Sequence, residues 1–146
     1  MQRWYRRSLA VRLIPAALIA VLLWSVPTAA QAPRVIRVVL EEYRITPAVI
    51  ALKAGERVRL QIQNVGTVRH EFRSTIFRGV NVWVRTAEFD LRVERFEVMV
   101  IRPAASVLLE FARRTPGEYP FRCGATANDG RRHVDLGMTG KFVVSP

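Results

Sequence analysis

Glu56-Arg57-Val58-Arg59-Leu60-Gln61-Ile62-Gln63 alternates polar and apolar residues without a break. Successive side chains of a strand point to opposite faces, so this period of two puts Val58, Leu60 and Ile62 on one buried face and the charges in solvent. The same texture continues from Pro33 onward. Residues 34–40 form a second β-rich run and 45–52 a third, in which Pro47 marks an edge or a bend. Lys53-Ala54-Gly55-Glu56 reads as a turn. Further strands are predicted over 80–85, 89–101, 106–112, 118–122 and 139–144, bounded by Pro103, by Thr115-Pro116-Gly117 and by a loop over 124–137. No window has a helical period and no internal repeat is present. Seven or eight short strands in about 116 residues predict an all-β fold, a two-sheet sandwich forming one domain. Phe77, Trp83, Phe89 and Phe96 are expected to pack inward, and Met99 to serve packing alone.

The first thirty residues have a different character. Arg3, Arg6, Arg7 and Arg12 precede an apolar run over 13–26 that only Pro15 and Ser25 interrupt, and Thr28-Ala29-Ala30-Gln31-Ala32 supplies small residues. This is the three-part form of a secretory signal. The run falls short of the roughly 20 residues that span a bilayer as a helix. Residues 1–30 are therefore expected to be a signal peptide cleaved after Ala30, with 31–146 as a periplasmic domain lacking a stable membrane anchor. Arg6-Arg7-Ser8-Leu9-Ala10 is a partial match to a twin-arginine signal, with the ordinary export route as the alternative.

Removing that segment takes away four Arg and no acid, so the formal charge falls from +11 only to +7. A nucleic-acid partner is the usual inference from such a charge. Here the arginines are scattered singly through alternating strands of an exported chain, which points away from nucleic acid. They read as solvated strand faces able to steer an acidic partner.

Few residues can carry chemistry. The one cysteine cannot form an internal disulfide, and two histidines exclude any site needing three imidazoles. The candidates are His70, then Cys123, His133 and Met138 in the spacing C-x9-H-x4-M. Taken singly, each has a plain structural reading: a small buried thiol, a satisfied histidine, a polar loop residue after Arg131-Arg132, a core methionine. Together, two imidazoles, one thiolate and a thioether are the donor set that suits copper in both oxidation states. A free thiol in an exported domain risks oxidation or mispairing, which favours metal binding over an inert role. Glu71 reads as a surface carboxylate, a salt-bridge partner for a nearby Arg or a brace for the His70 loop, and not as a ligand.

Three segments carry a family resemblance. Val65-Gly66-Thr67-Val68-Arg69-His70-Glu71-Phe72, Pro116-Gly117-Glu118-Tyr119-Pro120-Phe121-Arg122-Cys123 and Gly137-Met138-Thr139-Gly140-Lys141-Phe142-Val143-Val144 resemble the ligand-bearing segments of the cupredoxins, the family of plastocyanin and azurin. The resemblance spans about 45–144 and implies a Greek-key sandwich with one type 1 copper, held by His70, Cys123 and His133 in the plane and Met138 on the axis. Two features depart from the pattern. The Cys-to-His loop has nine residues, longer than in plastocyanin-like members and nearer the long loop of copper nitrite reductases. Glu71 stands where such members carry a bracing Asn. The expected function is a monomeric one-electron carrier between periplasmic redox partners, with an acidic partner steered by Arg131 and Arg132 to the edge of the second His. The alternative is a copper carrier or assembly factor delivering the ion to another protein; a sandwich without metal binding ranks below both. An enzyme is not expected, because copper oxidases and nitrite reductases need further His-rich centres and no imidazole remains.

Overall fold

The computed structural model describes residues 32–146, so the expected signal peptide lies outside the described residues. The strands are β1 (Arg34–Glu41), β2 (Arg44–Thr46), β3 (Val49–Lys53), β4 (Arg57–Asn64), β5 (His70–Ser74), β6 (Val82–Arg85), β7 (Asp90–Val93), β8 (Val98–Ile101), β9 (Ser106–Ala112), β10 (Gly117–Arg122) and β11 (Thr139–Ser145). They form two sheets, in the orders β2-β1-β4-β9-β6-β7 and β3-β11-β10-β5-β8. The β-sandwich expected from the alternation is present. No helix among the described residues is long and apolar enough to cross a membrane.

Two runs that read as single strands are each divided between the sheets. Residues 45–52 become β2 in the first sheet and β3 in the second. The break falls at Pro47, whose nitrogen cannot donate to a ladder. Residues 89–101 become β7 and β8, again in different sheets. There the charged stretch Glu94-Arg95 and Glu97 interrupts the run while Phe96 turns into the core. The phase of the alternation shifts from odd to even positions at both breaks, Ile45 giving way to Ile50 and Leu52 and Val93 to Phe96, while β-forming residues continue on each side and blur the boundary.

β5 went unread for a different reason. Its inward positions are His70, Phe72 and Ser74, and two polar residues in three erase the hydrophobic period. A short 3-10 turn, Thr75–Phe77, follows it, capped by the Ser74 hydroxyl accepting from the Ile76 amide at 3.2 Å.

The core is aromatic. Phe72 stacks on Phe121 at 5.3 Å between centroids, Phe121 meets Phe142 edge-on at 5.0 Å, and Phe77 joins Phe96 at 4.9 Å and Phe111 at 5.2 Å. Full burial of each such ring contributes on the order of 1.5–3 kcal/mol. Phe77 and Phe96 thus point inward as expected, whereas Trp83 and Phe89 do not: they are 42% and 43% exposed. Val82 and Val84 take the inward positions of β6, which leaves Trp83 on the outer face. Gly140 on β11 lies under the Phe121 ring, where a Cβ would stand 2.3 Å from the ring and 2.4 Å from the Ala48 carbonyl oxygen.

On the outer face of the first sheet Glu110 accepts hydrogen bonds from Arg57 at 2.6 Å and Arg59 at 2.8 Å. The Arg59 hydrogen bond, above all, holds its carboxyl below the usual carboxylate range. Stability from such a depressed group is present above its unfolded pKa and is lost as pH falls through the folded one. Glu110→Gln should therefore cost about 1–2 kcal/mol in urea unfolding at neutral pH. The gap to the parent protein should close below about pH 4.

Candidate metal centre

One end of the sandwich gathers the candidate residues. His70 opens β5, opposite Ile101 of β8. Cys123 follows β10 directly and Met138 precedes β11 directly. The β10–β11 ladder reaches Arg122 opposite Thr139, and one step further the Cys123 amide donates to the Met138 carbonyl at 3.0 Å. Between them the long loop is a closed structure. The His133 amide donates to the Ala125 carbonyl at 2.9 Å, and the His133 carbonyl accepts from Met138 at 3.0 Å. At the loop's tip Asp129-Gly130 makes the expected turn: Gly130 has φ 83° and the Asp129 carboxylate accepts from the Arg131 amide.

Three side chains converge on one point. The Nδ1 atoms of His70 and His133 lie 3.2 Å apart, and the Cys123 Sγ lies 3.9 Å from the first and 3.5 Å from the second. All three residues are buried. Met138 is fully buried beside them, tied by its backbone to both Cys123 and His133.

The surroundings fit a metal ion better than they fit structural histidines. The Nε2 atom of His70 is the one fully buried side-chain nitrogen or oxygen among the described residues with no hydrogen-bond partner. Its Nδ1 faces the His133 Nδ1 at 3.2 Å, an arrangement that holds one shared proton or one cation. A cation there would take up both Nδ1 lone pairs and the facing sulfur, which a shared proton does not, and would fix the His70 proton on Nε2. Burial lowers the His70 pKa, and the facing His133 lowers it further. Burial also pushes the Cys123 thiol up, against the pull of amide hydrogen bonds from Glu71 and Ala125. Burial thus favours the neutral Cys123 thiol, and metal binding would release its proton.

The sequence reading passed over Asn64. Its Nδ2 donates to the Val68 and Ile101 carbonyls at 2.8 and 2.9 Å, and its Oδ1 accepts from the Gly66 amide at 2.9 Å. Being fully buried, it clasps the loop before His70 and ties it to β8. The signal was present: Asn64 continues the inward series of Val58, Leu60 and Ile62 as a polar residue. Tyr43 was also missed. With φ 63°, it packs its ring edge-on against His133 at 5.2 Å. Beside it the Glu42 carboxylate accepts from the Thr67 amide and hydroxyl, which lowers its pKa. Glu71 is a salt-bridge partner as anticipated, 3.6 Å from Arg73, while its amide donates to the Cys123 Sγ at 3.3 Å.

The second His differs from its expected setting. His133 is only 2% exposed. Arg131 pairs with Asp129 at 2.6 Å and Arg132 with Asp135 at 2.8 Å, so the two arginines next to it in the chain each have their own counter-ion. An open cleft of about 500 Å³ leads to His133 past Glu42, Tyr43, Val68 and Asp129.

Comparison with known proteins places this architecture. Residues 15–134 match the family described as the cupredoxin-like domain; the match begins inside the apolar run over 13–26 and ends four residues before Met138. The copper-resistant cuproprotein CopI of Rubrivivax gelatinosus is 28% identical over 121 residues, covering 80% of this chain and 69% of that one. Auracyanin from the photosynthetic bacterium Roseiflexus castenholzii superposes with a TM-score of 0.54 at 17% identity, over 80% of this chain and all of its own. A multicopper oxidase from Campylobacter jejuni superposes with a TM-score of 0.58 at 14% identity over 82% of this chain, which spans only 31% of the oxidase. The chain belongs to the cupredoxin family, and copper is the metal its fold and donor set indicate. Since the fold is shared with an oxidase, it does not by itself decide enzymatic activity.

Asn64→Ala takes their side-chain partner from the buried Ile101 carbonyl and Gly66 amide and from the partly buried Val68 carbonyl. It should cost about 2–4 kcal/mol in urea unfolding and weaken copper binding, read by chelator competition, with the three ligand side chains intact.

Proposed function

We propose that the protein is an exported, monomeric one-electron carrier built around a single type 1 copper. The convergence of two Nδ1 atoms and one Sγ in a buried pocket carries this reading. His70, Cys123 and His133 would hold the ion, with the buried Met138 thioether as a weaker fourth donor. Copper bound there supplies the couple between Cu(I) and Cu(II).

The chain's own residues supply fixed positions and a dry setting. His70 is fixed by the β5–β8 ladder, Cys123 and Met138 by the hydrogen bond that extends β10–β11, and His133 by backbone bonds on both its amide and its carbonyl. The Glu71 amide donates to the sulfur and disperses its charge. Asn64 locks the loop leading to His70. Burial of all three ligands excludes solvent, so little rearrangement accompanies a change of charge. With both histidines of the chain engaged, no imidazole is left for a second copper centre, which supports a carrier over an enzyme. The leader over residues 1–30 supports export to the periplasm.

A second reading, copper delivery, draws support from the relative named as a copper-resistant cuproprotein. Release would require opening the hydrogen-bonded loop around His133, and the burial of that residue argues for retention. Repeated reduction and reoxidation of the copper-loaded protein, followed by metal quantification and challenge with a Cu(I) chelator, separates the two. The carrier reading predicts a reversible voltammetric wave with copper retained throughout. Transfer of the reduced ion to the chelator as fast as mixing would overturn it in favour of delivery.

A further inference from the structure

The outer face of the second sheet carries a pocket of about 210 Å³ lined by Arg73, Thr75, Arg78, Glu97, Pro120 and Arg122. It lies away from the cleft that leads to His133 and shares no lining residue with it. Arg73 on β5 and Arg122 on β10 are direct cross-strand partners. Like charges so placed repel each other, and a fold normally offsets this with a nearby acid.

Here the offset is incomplete. Arg73 has only the Glu71 carboxylate at 3.6 Å, and Arg78 and Arg122 make no ion pair among the described residues. Arg113 approaches from behind and donates to the Arg78 carbonyl at 2.6 Å, adding a further positive charge to the neighbourhood. Several arginines elsewhere are matched at short range, Arg57 and Arg59 with Glu110, Arg85 with Asp90, Arg131 with Asp129 and Arg132 with Asp135. Arg69, in the cleft that leads to His133, has no such pair among the described residues but stands alone there among Glu42 and Asp129, whereas three guanidinium groups share this pocket with one acid. Glu97, on the pocket wall, forms no ion pair with any of the three guanidinium groups.

We propose that this pocket is the docking site for the carboxylates of an acidic protein partner. Guanidinium groups bind carboxylates through paired, charge-assisted hydrogen bonds, and an incoming acid would relieve the repulsion between Arg73 and Arg122. Arg122 is the residue bonded to Cys123, so this pocket ends one residue along the chain from the thiolate and is separate from the cleft that leads to His133. That the partner is a redox protein rests on the electron-carrier reading; the anion site itself does not.

The test is an amide-shift titration of the full-length protein with a hexaglutamate peptide, run metal-free and loaded with Cu(I). Shifts should concentrate at residues 73–78 and 120–122 in both forms. Arg78→Ala and Arg122→Ala should each weaken binding on the order of tenfold, the loss of one charge-assisted pair. Glu97→Gln should tighten it, and Arg85→Ala on the other sheet should leave it unchanged. Shifts spread over both sheets with Arg85→Ala equally damaging, or confined to the loop over His133, would overturn the proposal. So would displacement of the peptide by equimolar sulfate, which would mark a free-oxyanion site instead. A chain that takes up no copper yet gives the expected map would sink the electron-carrier reading while supporting this docking site.

Discussion

The hydrogen bond from the Cys123 amide to the Met138 carbonyl closes the metal-binding end of this molecule. It adds one step to the β10–β11 ladder beyond its last strand pair and forces the intervening residues into a loop of fixed span. His133 then has little freedom, since its amide and carbonyl are both engaged within that loop. Its ring is brought to the Cys123 sulfur by backbone geometry before any metal is present. The length of the loop, the sequence's main departure from the family pattern, is therefore absorbed by internal hydrogen bonds and does not open the site.

The second constraint is the placing of polar residues at inward positions. His70, Ser74 and Asn64 occupy places where alternation calls for apolar side chains. Burying a polar group costs stability unless a partner is found. Ser74 finds the Pro120 carbonyl and Asn64 finds three backbone partners, but His70 keeps one ring nitrogen unpartnered. Asn64 and Ser74 thus brace the end of the sandwich, while His70 turns its Nδ1 to His133 and Cys123, the geometry of a cation site.

Legibility in the sequence followed the same division. The sandwich could be read because Val58, Leu60 and Ile62 alternate cleanly with charge, and β9 was predicted to the residue. The donor set could be read because the chain holds so few residues capable of that chemistry. β5 could not, since two of its three inward residues are polar. The sheet changes at Pro47 and Phe96 were passed over although the alternation shifts phase at each, because β-forming residues run on across the break. The burial of His133 under Tyr43 and the pairing of Arg131 and Arg132 with acids depend on loop closure, which spacing alone does not report.

Charge is distributed in keeping with this architecture. The loop around His133 pairs its own Arg131 and Arg132 with acids, while Arg73, Arg78 and Arg122 meet in one pocket on the second sheet. The central claim is that Cys123 and the two histidines bind a single copper. It is tested most directly by titrating the protein with Cu(II) under visible absorption and EPR, beside Cys123→Ala. An intense thiolate-to-copper band that saturates at one equivalent and vanishes in the variant is the predicted result. Colourless, weak binding identical in both proteins would contradict it.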